Sequence, residues 1–320
     1  MTVFVYSNGV TRQVETIDPS WLRPDATEIF WVDFPDTTEP SRKVLTDTFH
    51  FHELAIEDAM AESHHPKVEP YDGILYVILH GIVAAKRQHG FATRDVDFFL
   101  GRNFLVTVHH YHSRSIEEEQ KVLLRHHALL GEGPCGLMHR LMDRMVDHYG
   151  PEADSLEERL EKIEHKVFAD GRMSPLREIL RLKSDIAALR RVVLPQRDVV
   201  NRLARREFMQ ISDALSYRFR DVHDHLVRLA DEAVFLQDRV TGLLDAHLSM
   251  QSHRLNGVMK VLTVISTIFM PLTVIASLYG MNVPLPHLPG GEVAQFWWVL
   301  GIMLSLSTGM LLIFRRMDWL

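Results

Sequence analysis

Asp224, Asp231, Asp238 and Asp245 stand seven residues apart, and their register continues through Ser252, Met259, Ser266, Thr273 and Gly280. A companion position three residues earlier reads Asp221, Arg228, Phe235, Gly242, Ser249, Asn256, Thr263, Met270 and Ser277. On a helix, positions three apart share a face, so one stripe changes along its length from carboxylates to small polar and thioether side chains. Carboxylates in series concentrate cations and repel anions, and neutral oxygens beyond them can stand in for part of an ion's water. This pattern suits the passage of a cation rather than the making of a bond. No phosphate-binding loop, nucleophile elbow or His-Glu-x-x-His pattern accompanies it, so an enzyme is not expected.

The stripe needs a long helix, and the apolar residues specify one. Val222, Leu226, Leu229, Ala233, Leu236, Val240 and Leu243 recur at steps of four and three, a seam of coiled-coil type. The aspartates follow that seam by two residues, about 200° around the helix, and so lie opposite it. Without a break signal before Pro271, the helix is expected from about Ile211 to about Met281, on the order of 100 Å.

Charge is distributed unevenly. Between Val261 and Phe314 the only formal charge is Glu292, and the apolar runs Val261–Met281 and Phe296–Phe314 each approach the roughly 20 residues that cross a bilayer. Lys260 and Arg254 precede the first run, Arg315 and Arg316 follow the second, and residues 283–295 between them hold no Lys or Arg. By the positive-inside rule both termini are cytoplasmic. Trp297, Trp298 and Trp319 stand where interfacial aromatic belts would lie. Lipid-facing positions should be apolar, yet the stripe stays polar through the first run. Two spans cannot enclose a wet path, so a ring of identical chains with the first span turned inward is expected. A divalent cation entering an inside-negative cell would gain about 4.6 kcal/mol per 100 mV.

The remainder is soluble in character. The chain has 320 residues, 46% hydrophobic and 24% charged, with net charge −7; the acidic balance argues against a nucleic-acid partner. Cys135 stands alone, which excludes an intrachain disulfide and fits a reducing compartment. No signal peptide is expected at the N-terminus. Val3–Tyr6, Glu28–Phe34, Ile74–Val83, Val96–Leu100 and Phe104–His109 read as strands, with helices over Arg42–Phe49 and Glu53–Glu62. Further helices are expected over Gly136–Phe168, with a break at Gly150-Pro151, and from Pro175 to about Arg206. The histidine groups His64-His65, His109-His110-Tyr111-His112 and His223 with His225 invite a zinc site. Their spacing on a strand or helix disperses them, and surface or interface roles are expected instead.

Tyr279-Gly280-Met281-Asn282, set between two hydrophobic spans after a long acidic helix, resembles the signature of the CorA family of magnesium and cobalt transporters. Val258-Met-Lys-Val-Leu-Thr, Ile268-Phe-Met-Pro-Leu-Thr, Arg220-Asp-Val-His-Asp-His, Gly242-Leu-Leu-Asp, Ile56-Glu-Asp and His65-Pro-Lys-Val-Glu are similar to the same family. The resemblance implies an α+β cytoplasmic domain, then long helices and two C-terminal transmembrane helices, assembled as a funnel-shaped homopentamer in the cell (inner) membrane. Its organisation would be an α/β domain over 1–112, a helical domain over 113–255 and a membrane domain over 256–320. Within the last, the spans would cover about 258–281 and 296–314, joined by an outer loop over 282–295.

By the same resemblance Gly280, Met281 and Asn282 form the selectivity filter. Asn256, Met259, Leu262, Met270, Thr273 and Ser277 line the conduit together with Thr263 of the stripe. Met259, Leu262 and Met270 would form an apolar constriction able to gate by dewetting. Cytosolic Mg²⁺ bound between subunits at Asp58 and Asp221, with Glu57 as helper, would clamp the ring shut. Mg²⁺ is thus expected as both cargo and regulator, without an organic cofactor. The sparse outer loop and the short basic tail at Arg315-Arg316, which Asp318 interrupts, depart from the family pattern and leave Co²⁺, Ni²⁺ and Zn²⁺ open. A ZntB-type zinc transporter and a membrane-tethered coiled-coil sensor or scaffold are the alternatives.

Overall fold

The computed structural model describes residues 1–61, 65–83, 92–110, 112–169, 175–281, 291–317 and 319, in two compact units, Met1–Leu243 and Leu244–Leu320. The first unit is built on seven strands: β1 (Thr2–Ser7), β2 (Val10–Val14), β3 (Ile29–Phe34), β4 (Lys67–Tyr71), β5 (Ile74–Val83), β6 (Ala92–Leu100) and β7 (Phe104–His109). They lie in the order β2-β1-β3-β7-β6-β5-β4, antiparallel except for β3 beside β7.

β2 and β4 are strands that composition hides, and both are edges of the sheet. Edge strands carry charge, here Arg12 on β2 and Lys67 and Glu69 on β4, which masks the apolar alternation of inner strands. Two-residue turns make both hairpins. Asn8 and Gly9 have φ of 51° and 83°, and Asp72 and Gly73 have 32° and 88°, the positive values that such tight connections demand.

Inner strands are buried on both faces, as a sheet between helical layers must be. One core joins Val3, Phe30, Val32, Tyr76, Phe99 and Val106 of the sheet to Leu45, Phe51 and Ile56 of the segment that covers it. That segment holds α1 (Glu39–Lys43), a wider helical turn over Val44–Thr48, and α2 (Glu53–Met60), in place of the single helix expected over 42–49. On the other face lie α3 (Arg114–Arg125), a helix the sequence pattern did not announce, and α4 (Pro134–Asp147).

α5 (Gly150–Ala169), α6 (Leu176–Ala204) and α7 (Asp213–Tyr279) complete the helical part. Arg159 meets Asp185 at 2.8 Å between α5 and α6, and Arg239 of α7 reaches Glu157 and Glu164 of α5 at 3.1 and 2.9 Å. The Gln196 side chain of α6 accepts from the His80 amide at 3.0 Å and donates to the Tyr149 hydroxyl at 3.1 Å, tying the helices to β5. All seven seam residues of α7, from Val222 to Leu243, are buried, as their spacing predicts.

In the second unit α7 continues to Tyr279, and α8 runs Gly291–Arg316. Both are long and apolar enough to cross a membrane, and almost none of their apolar windows is buried within the chain. Val264 is buried, while Phe269, Met270 and Leu304 are exposed.

Candidate ion path and cytoplasmic metal cluster

Asn256, Met259, Leu262, Thr263, Met270, Thr273 and Ser277 are all exposed on α7 of the single chain; Met259 and Met270 are 59% and 71% accessible. Two of them have their polarity set by the helix itself. The Thr263 hydroxyl donates to the Met259 carbonyl at 2.8 Å, and that of Thr273 donates to the Phe269 carbonyl at 2.8 Å. With the proton engaged by the backbone, each oxygen keeps its lone pairs for an outside partner, the polarity a cation requires. Pro271 sits inside the helix without breaking it. Lacking an N–H, it leaves the Thr267 carbonyl without its helical donor, a further oxygen at this level.

The helix ends at the signature. The Gly280 amide donates to the Ala276 carbonyl at 2.9 Å, and the Met281 amide to the Leu278 carbonyl at 3.4 Å. A Cβ on Gly280 would stand 3.1 Å from the Ala276 carbonyl oxygen, so any side chain here crowds the last helical turn. Asn282 and the loop through residue 290 lie outside the described residues, as do His64 and Tyr111.

Opposite the buried seam, Asp221, Asp224, Asp231, Asp238 and Asp245 are all exposed. Phe235 shares their side and carries the Arg239 guanidinium over its ring at 5.6 Å.

Asp58 and Asp221 have different surroundings. On α2, Glu57 is exposed, whereas the half-buried Asp58 accepts from the Lys67 ammonium at 2.5 Å, and the same ammonium reaches Glu69 at 2.7 Å. Partial burial opposes the Lys67 charge, but its bonds to Asp58 and Glu69 outweigh it and raise the pKa, so the ammonium persists. A divalent ion at Asp58 therefore has a resident cation to displace.

On α7, His225 lies one helical turn beyond Asp221. Its ring nitrogen and carboxylate oxygens of Asp143 and Asp147, both on α4, all fall within 4.8 Å of one another. Burial first, and then the Asp147 charge, raise the Asp143 pKa; the His139 and His225 imidazoles oppose this, and Asp221 adds further repulsion. Two crowded carboxylates and an imidazole make a donor set that a divalent cation would relieve. Sequence reasoning missed this group and dispersed its histidine. The signal was Asp143-x₃-Asp147 at helical spacing, but the facing helix is known only from the fold.

Residues 26–316 match the model of the CorA-like Mg2+ transporter protein family. The chain belongs to the CorA family. Among its CorA relatives, the putative metal ion transporter YfjQ of Bacillus subtilis is 33% identical over 315 residues, covering 96% of this chain and 92% of that protein. The cobalt/magnesium transport protein CorA of Thermotoga maritima is 28% identical over 326 residues, covering 99% and 92%. In fold, the chain is similar to the CorA magnesium transporter from Methanocaldococcus jannaschii, with TM-score 0.84 and 21% identity over 100% of this chain and 99% of that one. The expected architecture, an α/β domain followed by long helices and C-terminal apolar helices, is therefore the CorA fold, and the function is divalent cation transport.

The other histidines of this CorA protein are held separately. His109 faces Asp33 at 3.2 Å, His110 contacts the Thr37 hydroxyl at 3.0 Å, and His112 meets Glu117. Among the described residues, His109, His110 and His112 form no joint metal cluster.

Proposed function

We propose that this chain is one subunit of a ring-shaped homopentameric channel, which admits Mg²⁺ to the cytoplasm down the membrane potential and closes when cytosolic Mg²⁺ rises. The observation that carries this reading is the division of α7. From Val222 to Leu243 its apolar seam is buried while the acidic stripe opposite is exposed, and in the apolar stretch beyond, the hydroxyl-bearing continuation of that stripe is exposed together with most of the rest of the helix. A polar stripe on a membrane-spanning helix needs a wet surrounding, and a ring of copies supplies one. Residues 256–320 form the membrane domain, with the connecting loop outside and both termini in the cytoplasm. Gly280, Met281 and Asn282 ring the outer mouth. There, neutral oxygens suit Mg²⁺, which gives up its water reluctantly and is bound well through it. Asp224, Asp231, Asp238 and Asp245 form carboxylate circles that gather cations along the cytoplasmic stretch.

Closure is assigned to carboxylates near subunit boundaries: Asp58 with Glu57, Asp221, and the adjoining cluster of Asp143, Asp147 and His225. Unneutralised, they repel; a bound divalent ion removes the repulsion and lets neighbours draw together. The imidazole of His225 favours a second reading for the metal, in which Co²⁺, Ni²⁺ or Zn²⁺ is sensed or carried as well.

The deciding experiment is uptake into vesicles of controlled potential. Replacing Asn282→Ala should abolish Mg²⁺ flux while the oligomer still assembles. Unchanged flux would remove the filter assignment, and a wild-type protein that assembles yet moves no divalent ion under any potential would favour the tethered scaffold.

A further inference from the structure

The end of α6, the turn after it and the early part of α7 form a cavity of about 510 Å³, lined by Asn201, Arg205, Arg206, Arg220, His223 and Asp224 among others. On a chain of net charge −7, this wall sets three guanidiniums and an imidazole against one carboxylate. Neighbouring arginines are matched: Arg197 pairs with Asp198 at 2.9 Å and Arg202 with Glu207 at 2.9 Å. Arg206 is held in place. Its φ of 63° lies in the left-handed region that non-glycine residues avoid. The side chain pairs with Asp213 at 3.2 Å and donates to the Ser216 and Tyr217 hydroxyls at 3.3 Å each. Arg220 rests on the Tyr217 ring at 5.3 Å. Among the described residues, Arg205 and Arg220 have no carboxylate partner.

We propose that this cavity binds a polyphosphate-bearing anion, such as a nucleoside triphosphate, through Arg205 and Arg220. Guanidinium forks bond phosphate oxygens in pairs, and the two without counterions supply positive charge that an anion of charge two or more would neutralise. The imidazole of His223 and the amide of Asn201 add donors. Asp224, the one carboxylate of the wall, stands 3.4 Å from the His223 ring nitrogen. The volume exceeds what orthophosphate fills and falls in the range of small-molecule sites, roughly 300–1,000 Å³. The cavity shares Asp224 with the acidic stripe, but anion binding is read directly and does not depend on ion flux.

The test is a calorimetric titration of the full-length protein in detergent, with chelator present so that no divalent ion mediates binding. Tripolyphosphate and ATP are the probes, and short-chain phosphatidic acid is the lipid counterpart. Saturable binding of tripolyphosphate and ATP is expected, weakening as salt rises. Combined Arg205→Gln and Arg220→Gln substitution should reduce affinity about tenfold or more. Arg205→Gln alone, at an exposed helix end, should give part of that loss and serves if the double variant does not assemble. Absence of saturable binding, equal affinity in the variants, or binding by the lipid phosphate alone would overturn the proposal.

Discussion

Single side chains show how burial decides what a titratable group does. Asp97 lies 3% exposed within β6, accepting from the Tyr76 hydroxyl at 2.5 Å. Burial raises its pKa well above the carboxylate range, and Tyr76 opposes this only in part. A raised folded pKa means stability that is complete below the unfolded pKa, about 3.9, and lost as pH rises toward the folded value. Asp97→Asn keeps an acceptor for Tyr76 without a proton to hold. Its melting advantage over the natural chain should be absent near pH 4 and grow by about 1.4 kcal/mol per pH unit until the folded pKa is passed. A melting difference that does not change with pH would show Asp97 ionised in the fold. The metal cluster makes a separate prediction. His225→Asn should reduce protection against thermal unfolding by Co²⁺ or Ni²⁺ more than that by Mg²⁺, because imidazole is the donor the first two prefer. An equal reduction for all three ions would take His225 out of the ligand set.

Among the elements, α7 carries two opposed demands on its two sides. Leu236 is fully buried in the seam, whereas Asp238, two residues on, is exposed. Leu236→Ala should cost about 2–5 kcal/mol of stability, while Asp238→Ala should change it by about 0.5 kcal/mol or less. Chemical denaturation monitored by circular dichroism checks the pair, and similar losses for both would contradict the division of faces. The missed strands β2 and β4 belong to this scale too. Inner strands declare themselves by continuous apolar residues, but an edge needs charge to avoid pairing with other chains. Asn8-Gly9 and Asp72-Gly73 were the local signs of both hairpins.

For the whole molecule, the question is what covers the exposed apolar and hydroxyl-bearing sides of the spans. Cys135 is buried and its thiol is pushed up to about 12, so the natural chain offers little reactive thiolate at neutral pH. Thr273→Cys therefore adds a single reactive position. In a ring with the first span inward, oxidation should join neighbouring chains through it, and blocking agents added from the water phase should prevent the cross-link. A thiol that reacts only with lipid-soluble reagents would place residue 273 against the bilayer and end the channel reading.

Residue order alone determined the two spans, the seam of α7, the acidic stripe and the Gly280-Met281-Asn282 signature, because each is a periodic or contiguous pattern whose cause lies along one helix. Tertiary structure decided the rest. Asp58 turned out to share the Lys67 ammonium with Glu69, and Asp143, Asp147 and His225 converged although α4 and α7 are separated by more than sixty residues. Helical spacing places side chains within one element; which elements meet depends on how the sheet and its covering helices bury their apolar faces together, and no local pattern encodes that.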